Sequence, residues 1–202
     1  VVFSQGGKLK TAVARQEVIL SAGALQSPQL LQLSGIGDAT TLRNLGIDVL
    51  LDRPQVGQNL QDHLQIRVMH RCNEPLTTSD DLRSWSRKIG MAVQYVAKRA
   101  GPMAVGINQA GAFVRTRADL ERPDIQFHFA ALSSDLPGAP LHDFSGFTSS
   151  VCQLRPTSRG HLKMTSNDPF ARPEIHPGYL ATEEDQKTVV AASQVTLRTA
   201  QE

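Results

Sequence analysis

Apolar and polar positions fall into more than one rhythm along these 202 residues, and each rhythm predicts a different kind of element. Val1–Ser4 and Leu9–Ala14 flank Gln5-Gly6-Gly7-Lys8, which predicts a β-hairpin because paired glycines supply the positive φ of a tight turn. Glu17–Ser21 follows with an unbroken apolar run, Val18-Ile19-Leu20, the pattern of a central strand buried on both faces. Ser27-Pro28 predicts a helix start: serine caps free amides and proline suits the first helical position. That helix runs over about residues 28–34, with Leu30, Leu31 and Leu33 as its apolar stripe and Gly35 as its stop. Asp38 predicts the cap of a second short helix, Ala39–Leu45, closed by Gly46. Val49-Leu50-Leu51 is a brief strand, and Pro54–Asn59 a loop.

The rhythm changes near His63. Leu64–Cys72 alternates, with Leu64, Ile66, Val68 and His70 on one face of a strand. Leu82–Arg99 has helical spacing, with Trp85, Ile89, Val93 and Val96 in one stripe and Gly101-Pro102 as its end. Ile125–Leu132, Phe147–Leu154 and His161–Thr165 are three further strand candidates, the last two joined by the turn residues of Arg155–Gly160. Strands gathered around one long helix predict an antiparallel α+β layer. Residues 167–178 are rich in turn signals, and a helix resumes over Glu183–Gln201 with Thr182 as its cap. No internal repeat is present.

One stretch carries chemistry. The apolar run ends in Ser21-Ala22-Gly23-Ala24, whose small side chains let the backbone pass close to something bulky before a helix opens. Nucleotide-binding sheets bring backbone to a pyrophosphate or adenosine in this way, though tight strand–helix packing produces the same pattern. The full string S-A-G-A-L-Q-S-P-Q-L-L-Q-L-S-G-I-G (21–37) resembles the second signature of the glucose–methanol–choline oxidoreductases. The continuation through V-G-Q-N-L-Q-D-H (56–63), then R-P-D-I-Q-F-H-F (122–129) and S-R-G-H-L-K-M-T-S-N-D-P (158–169), resembles that family's later landmarks in the same order.

The resemblance implies a fold of α/β plus α+β type: part of a Rossmann-like FAD-binding domain joined to an antiparallel-sheet substrate-binding domain. It implies a partial FAD-binding domain over residues 1–63, a substrate-binding domain over 64–168, and a return segment over 169–202. It implies FAD as cofactor and the CH–OH group of a small-molecule alcohol as substrate, oxidised by hydride transfer to the flavin, with oxygen or a quinone as electron acceptor. A lyase of the same family that splits cyanohydrins, or a non-catalytic structural or interaction module, are the alternatives. No G-x-G-x-x-G follows an early strand and no segment matches the family's catalytic histidine, so an interior piece of a longer flavoenzyme is expected, inactive and unable to retain FAD by itself.

Ala22, Gly23 and Ala24 are the expected cofactor contacts, through backbone. Gln109 and His128 are the expected substrate contacts. Gln109 lies in Gly101–Phe113, which resembles the family segment entering the substrate cavity. Many choline-type members carry an acid at that place, so a neutral amide there argues against choline. Met103, Val105 and Ile107 in the same segment suggest a neutral, partly aliphatic alcohol. His128 projects with Gln126 from one face of a strand. His63 reads as a loop clamp beside Asp62 or as part of a loop shaping the flavin's surroundings, His70 as a core or wall residue, His142 as an exposed loop residue, and His161 and His176 as turn residues. None matches the family's catalytic position, so no catalytic base is assigned.

Composition removes other classes. Lys and Arg number 21 against 19 Asp and Glu, a net +2 with no basic stripe, and aromatics are only 5%, so no nucleic-acid partner is expected. Cys72 and Cys152 lie far apart and read as buried free thiols, with one disulfide between them as the alternative, and no His or Cys spacing marks a metal site. No G-x-S-x-G elbow surrounds Ser27. No apolar run reaches the roughly 18 residues of a membrane span. A cytoplasmic location is expected.

Overall fold

The computed structural model describes residues 1–136 and 138–200. In chain order its elements are β1 (Val2–Gln5), β2 (Lys8–Thr11), α1 (Gly23–Leu33), β3 (Ile36–Gly37), α2 (Ala39–Asn44), β4 (Leu51–Asp52), β5 (Gln58–Leu60), β6 (Gln65–Arg71), α3 (Thr78–Arg83), α4 (Trp85–Lys98), β7 (Ala110–Val114), β8 (Ile125–Ala130), β9 (Gly146–Gln153), β10 (Gly160–Lys163), β11 (Glu174–His176) and α5 (Glu183–Thr199). Packing divides them into two compact units, Val1–Leu60 with Gly160–Pro177 and Gln61–Arg159 with Gly178–Glu202. Sequence pattern places its boundaries after residues 63 and 168. The packing boundaries differ because β10 pairs with β5 while α5 covers β9.

In the first unit β1 and β2 form the expected hairpin, with Gly6 and Gly7 at φ 60° and 75°. The strand expected over Glu17–Ser21 does not form. A central strand draws its hydrogen bonds from neighbours on both sides; no described strand pairs with this run, and Val18, Ile19 and Leu20 are exposed. Helix α1 starts at Gly23 rather than at Ser27-Pro28. The Ala22 N–H donates to Ser27 Oγ at 3.0 Å, so Ser27 secures the helix start from one turn inside. Pro28 consequently falls within the helix, where it lacks the N–H that would reach the Ala24 carbonyl. The buried residue of α1 is Gln32, not a leucine: its amide donates to the Val56 carbonyl at 3.1 Å, while Leu30 is exposed.

Gly35 ends the helix at φ 83°, where a Cβ would strike the Asp48 carbonyl. Asp38 caps α2 as expected, accepting from the Thr41 N–H at 2.7 Å. Strand β4 pairs in parallel with β3, starting two residues later and ending one later than the run Val49–Leu51 predicts. The strand expected at His161–Thr165 forms as β10 but joins the sheet β11-β10-β5, so Arg155–Gly160 links two different sheets and is not a hairpin turn.

The second unit is built on an antiparallel sheet of order β6-β9-β8-β7. Ile125, Val151 and Ala192 of α5 are its most buried apolar residues, with Ile66, Val114 and Phe127 packed around them. A fully buried Ile or Val side chain contributes about 1.5–3 kcal/mol. Thr182 caps α5 as expected, through the Asp185 N–H at 3.3 Å. The helix is described to Thr199, and Gln201, its expected end, lies outside the described residues.

The single helix expected over Leu82–Arg99 is two. A capping box at Thr77 and Asp80 starts α3 earlier, and Ser84 breaks the run at ψ 122°. The stripe Trp85, Ile89, Val93 and Val96 is exposed on α4 rather than covered. Ala110–Val114, at the end of the segment that opens at Gly101, forms the edge strand β7: small residues give little local strand signal, and pairing with β8 supplies it.

Candidate functional site

The small-residue bend is open. Ala22, Gly23 and Ala24 are exposed, Gly23 has φ 84°, and among the described residues no atom beyond its chain neighbours and its own helix backbone lies within 4 Å of the place a Cβ would take on it. The first turn of α1 holds no acidic side chain, and a helix start offers N–H groups without intrahelical acceptors. These features suit the phosphates of a dinucleotide.

In the second unit, register assigns residues to the two faces of the sheet, because side chains alternate along a strand. The face carrying Ile66, Val151, Phe127 and Ile125 is the one under α5. The opposite face bears a row across all four strands, Arg67, Ser150, His128 and Gly111, each directly paired with the next. Arg67 donates to the carbonyls of Asp135 at 3.1 Å and Ser134 at 3.3 Å. His128 is half-buried. Gln109 lies just before β7, with its N–H on the Phe129 carbonyl at 2.8 Å and its amide turned to the Thr78 hydroxyl at 3.4 Å. No described hydrogen bond joins it to His128. Met103, Val105 and Ile107 are exposed.

His63 has the geometry of a clamp. Its Nε2 stands 3.1 Å from the Leu154 carbonyl and its Nδ1 3.9 Å from Cys152 Sγ. Asp62 accepts the His63 N–H at 2.9 Å and the Tyr179 hydroxyl. That hydrogen bond to Asp62, aided by burial and the negative charge, pushes the Tyr179 hydroxyl up to about 12. Cys72 and Cys152 are both free; Cys152 is buried, which raises its thiol pKa, whereas Cys72 is only half-buried. His70 stacks on Phe147 at 4.8 Å, and its buried Nε2 has no partner among the described residues.

Three histidine readings change. His161 and His176 are not turn residues; they face each other across β10 and β11 with rings 4.5 Å apart. His142 lies in a loop as expected but is half-buried rather than exposed: Nδ1 lies 2.5 Å from Ser133 Oγ and Nε2 3.1 Å from Asp135. This Ser–His–Asp chain is structural, because Ser133 is fully buried and no substrate can reach its hydroxyl. Among the described residues no three His, Cys, Asp or Glu are placed to hold a metal ion. No described helix is long and apolar enough to cross a membrane.

The chain is similar to several known proteins. Models of the GMC oxidoreductase family match residues 1–65, for its N-terminal part, and residues 156–202, for its C-terminal part. The oxygen-dependent choline dehydrogenase of Staphylococcus xylosus is 40% identical over 195 residues, 96% of this chain and 34% of that protein. Its counterpart in Staphylococcus saprophyticus matches at the same identity and coverage. Among solved structures, a formate oxidase superposes with a TM-score of 0.84 at 26% identity, covering 94% of this chain and 38% of that one. Pyridoxine 4-oxidase from Mesorbium loti gives 0.67 at 25% identity, covering 86% of this chain and 30% of that one.

The chain belongs to the GMC oxidoreductase family. Proteins of this family bind FAD, and FAD modification has been followed in the formate oxidase of Aspergillus oryzae. The chain spans about a third of the length of the curated relatives it matches, 34% in each case above.

Proposed function

We propose that this chain is part of an FAD-dependent oxidoreductase that oxidises the CH–OH group of a small-molecule alcohol. Family membership carries the proposal, and the open bend at Ala22–Ala24 is the structural feature that supports it most. Residues 1–63 would belong to the FAD-binding domain, and the four-stranded sheet to the substrate-binding domain. The names of the relatives, dehydrogenases and oxidases, favour alcohol oxidation over the cyanohydrin lyase, and their oxygen dependence supports molecular oxygen as electron acceptor.

Bound FAD supplies the acceptor for the hydride that leaves the carbinol carbon. The residues of this chain hold and orient. The backbone of Ala22, Gly23 and Ala24 would lie against the cofactor, where only small side chains allow that approach. His128 and Gln109 would orient polar groups of the alcohol. The base for the hydroxyl proton is assigned to none of the residues in this chain.

In the full-length flavoprotein, Ala22→Phe or Ala24→Phe adds bulk at the bend without demanding a positive φ. Either variant is expected to lower FAD occupancy about tenfold or more, measured as flavin absorbance per protein after gel filtration. Gly90→Ala, in open space on α4, serves as the control and is expected to retain FAD. Full FAD occupancy in both phenylalanine variants would remove the bend from the cofactor site.

A further inference from the structure

We infer that the alcohol received at this sheet carries an anionic oxygen group, a carboxylate in the simplest case. The inference rests on the reading above, with the face of the sheet away from α5 as the substrate wall. Strands β6 to β9 contain no aspartate or glutamate at all, while they carry Arg67, Arg71, His70 and His128. On the face in question Arg67 and His128 lie in one row with the Ser150 hydroxyl between them. Gly111 ends the row without a side chain, which leaves room beside His128.

The neighbouring rows, Gln65–Cys152–Gln126–Phe113 and Met69–Thr148–Ala130, are neutral. Arg67 forms no ion pair with a carboxylate among the described residues. Among the described residues its acceptors are the two carbonyls of Asp135 and Ser134, fewer than the five N–H groups of the guanidinium fork. The nearby Asp135 carboxylate is engaged by His142 instead.

A quaternary ammonium needs a carboxylate or a cage of aromatic faces. This face offers a guanidinium and one aromatic, Phe113, because Phe127, Phe129 and Phe147 belong to the face under α5. A carboxylate would gain charge-assisted hydrogen bonds from Arg67. Met103, Val105 and Ile107, which suggest a neutral aliphatic alcohol in the sequence, stand outside these rows.

The test uses the FAD-loaded full-length protein with three alcohols of similar length: 4-hydroxybutyrate, 1-butanol and choline. Anaerobic flavin reduction and kcat/KM are measured for each. 4-Hydroxybutyrate is expected to exceed both others by at least about tenfold. Arg67→Met is expected to lower the ratio of kcat/KM for 4-hydroxybutyrate over 1-butanol about 10- to 100-fold, the range for a hydrogen bond to a charged group. Most of that change should lie in KM, with partial recovery in Arg67→Lys. Preference for choline or 1-butanol, or an unchanged ratio in Arg67→Met, overturns the inference while leaving alcohol oxidation intact. A flavin reduced by none of the three sinks both readings together.

Discussion

Replacing Asp185 with alanine is expected to destabilise the second unit by about 3–5 kcal/mol, since each buried group left unsatisfied costs roughly 1–3 kcal/mol. The Asp185 carboxylate is 2% exposed and accepts from Gln153 Nε2 at 3.0 Å, the Thr157 N–H at 2.8 Å, the Thr157 hydroxyl at 2.9 Å and the Ser158 N–H at 2.8 Å. It fastens the start of α5 to the end of β9 and the loop beyond it. Without the carboxylate the Ser158 and Thr157 amides face a cavity with no acceptor. A urea midpoint followed by circular dichroism reads the effect, and an unchanged midpoint would contradict it.

The same carboxyl fixes a pH dependence. Burial pushes its pKa up, but the hydrogen bonds from Ser158 and Thr157 together outweigh burial and hold it well below the usual carboxylate range. A carboxyl depressed in the folded state contributes stability above its unfolded pKa of about 3.9, and that contribution declines as pH falls below it. Asp80 acts in the same direction. Burial opposes ionisation there too, yet Ser145, Thr77 and Arg83 together lower its pKa. The wild-type midpoint should therefore fall more steeply below pH ~4 than that of Asp185→Ala.

Gly160→Ala is expected to cost about 3 kcal/mol or more, at the upper end of what overpacking produces. Gly160 opens β10 at a shift of register against β5, and a Cβ there would collide with the backbone of His176 and Pro177. A flexible side chain could step aside; the carbonyls of a paired strand cannot. The β10–β11 pairing should open, seen as faster amide exchange at His161 and Lys163, whose amides lie on the β11 side while that of Leu162 bonds Gly57, than in the parent chain. Unchanged exchange at those amides would show that the collision is relieved cheaply.

Elements whose signals lie within a few residues were legible in the sequence. Gly6-Gly7, the Asp38 cap and the Thr182 cap each act on neighbours within four positions, and all three appear as expected. Elements that depend on distant partners were not. Val18-Ile19-Leu20 has the composition of a strand but no described neighbour to pair with, and Ala110–Val114 has little strand composition but finds β8. The leucines of α1 signal burial, yet Gln32 takes the inner position because the Val56 carbonyl satisfies its amide.

The sheet faces divide along the same line. The place of His128 on a strand face was legible from alternation. The same alternation, L-Q-I-R-V-M-H, set Arg67 opposite Ile66, but nothing local marks which face is left uncovered by α5. Ser133, Asp135 and His142 meet only through the path of their loop, which residue type does not disclose.

The most direct measurement mixes the FAD-loaded full-length protein with excess primary alcohol in the absence of oxygen. Loss of the oxidised flavin's visible absorbance, with one carbonyl product formed per flavin, is the predicted result. A protein that holds FAD but keeps it oxidised in the presence of every alcohol tried would contradict the assignment.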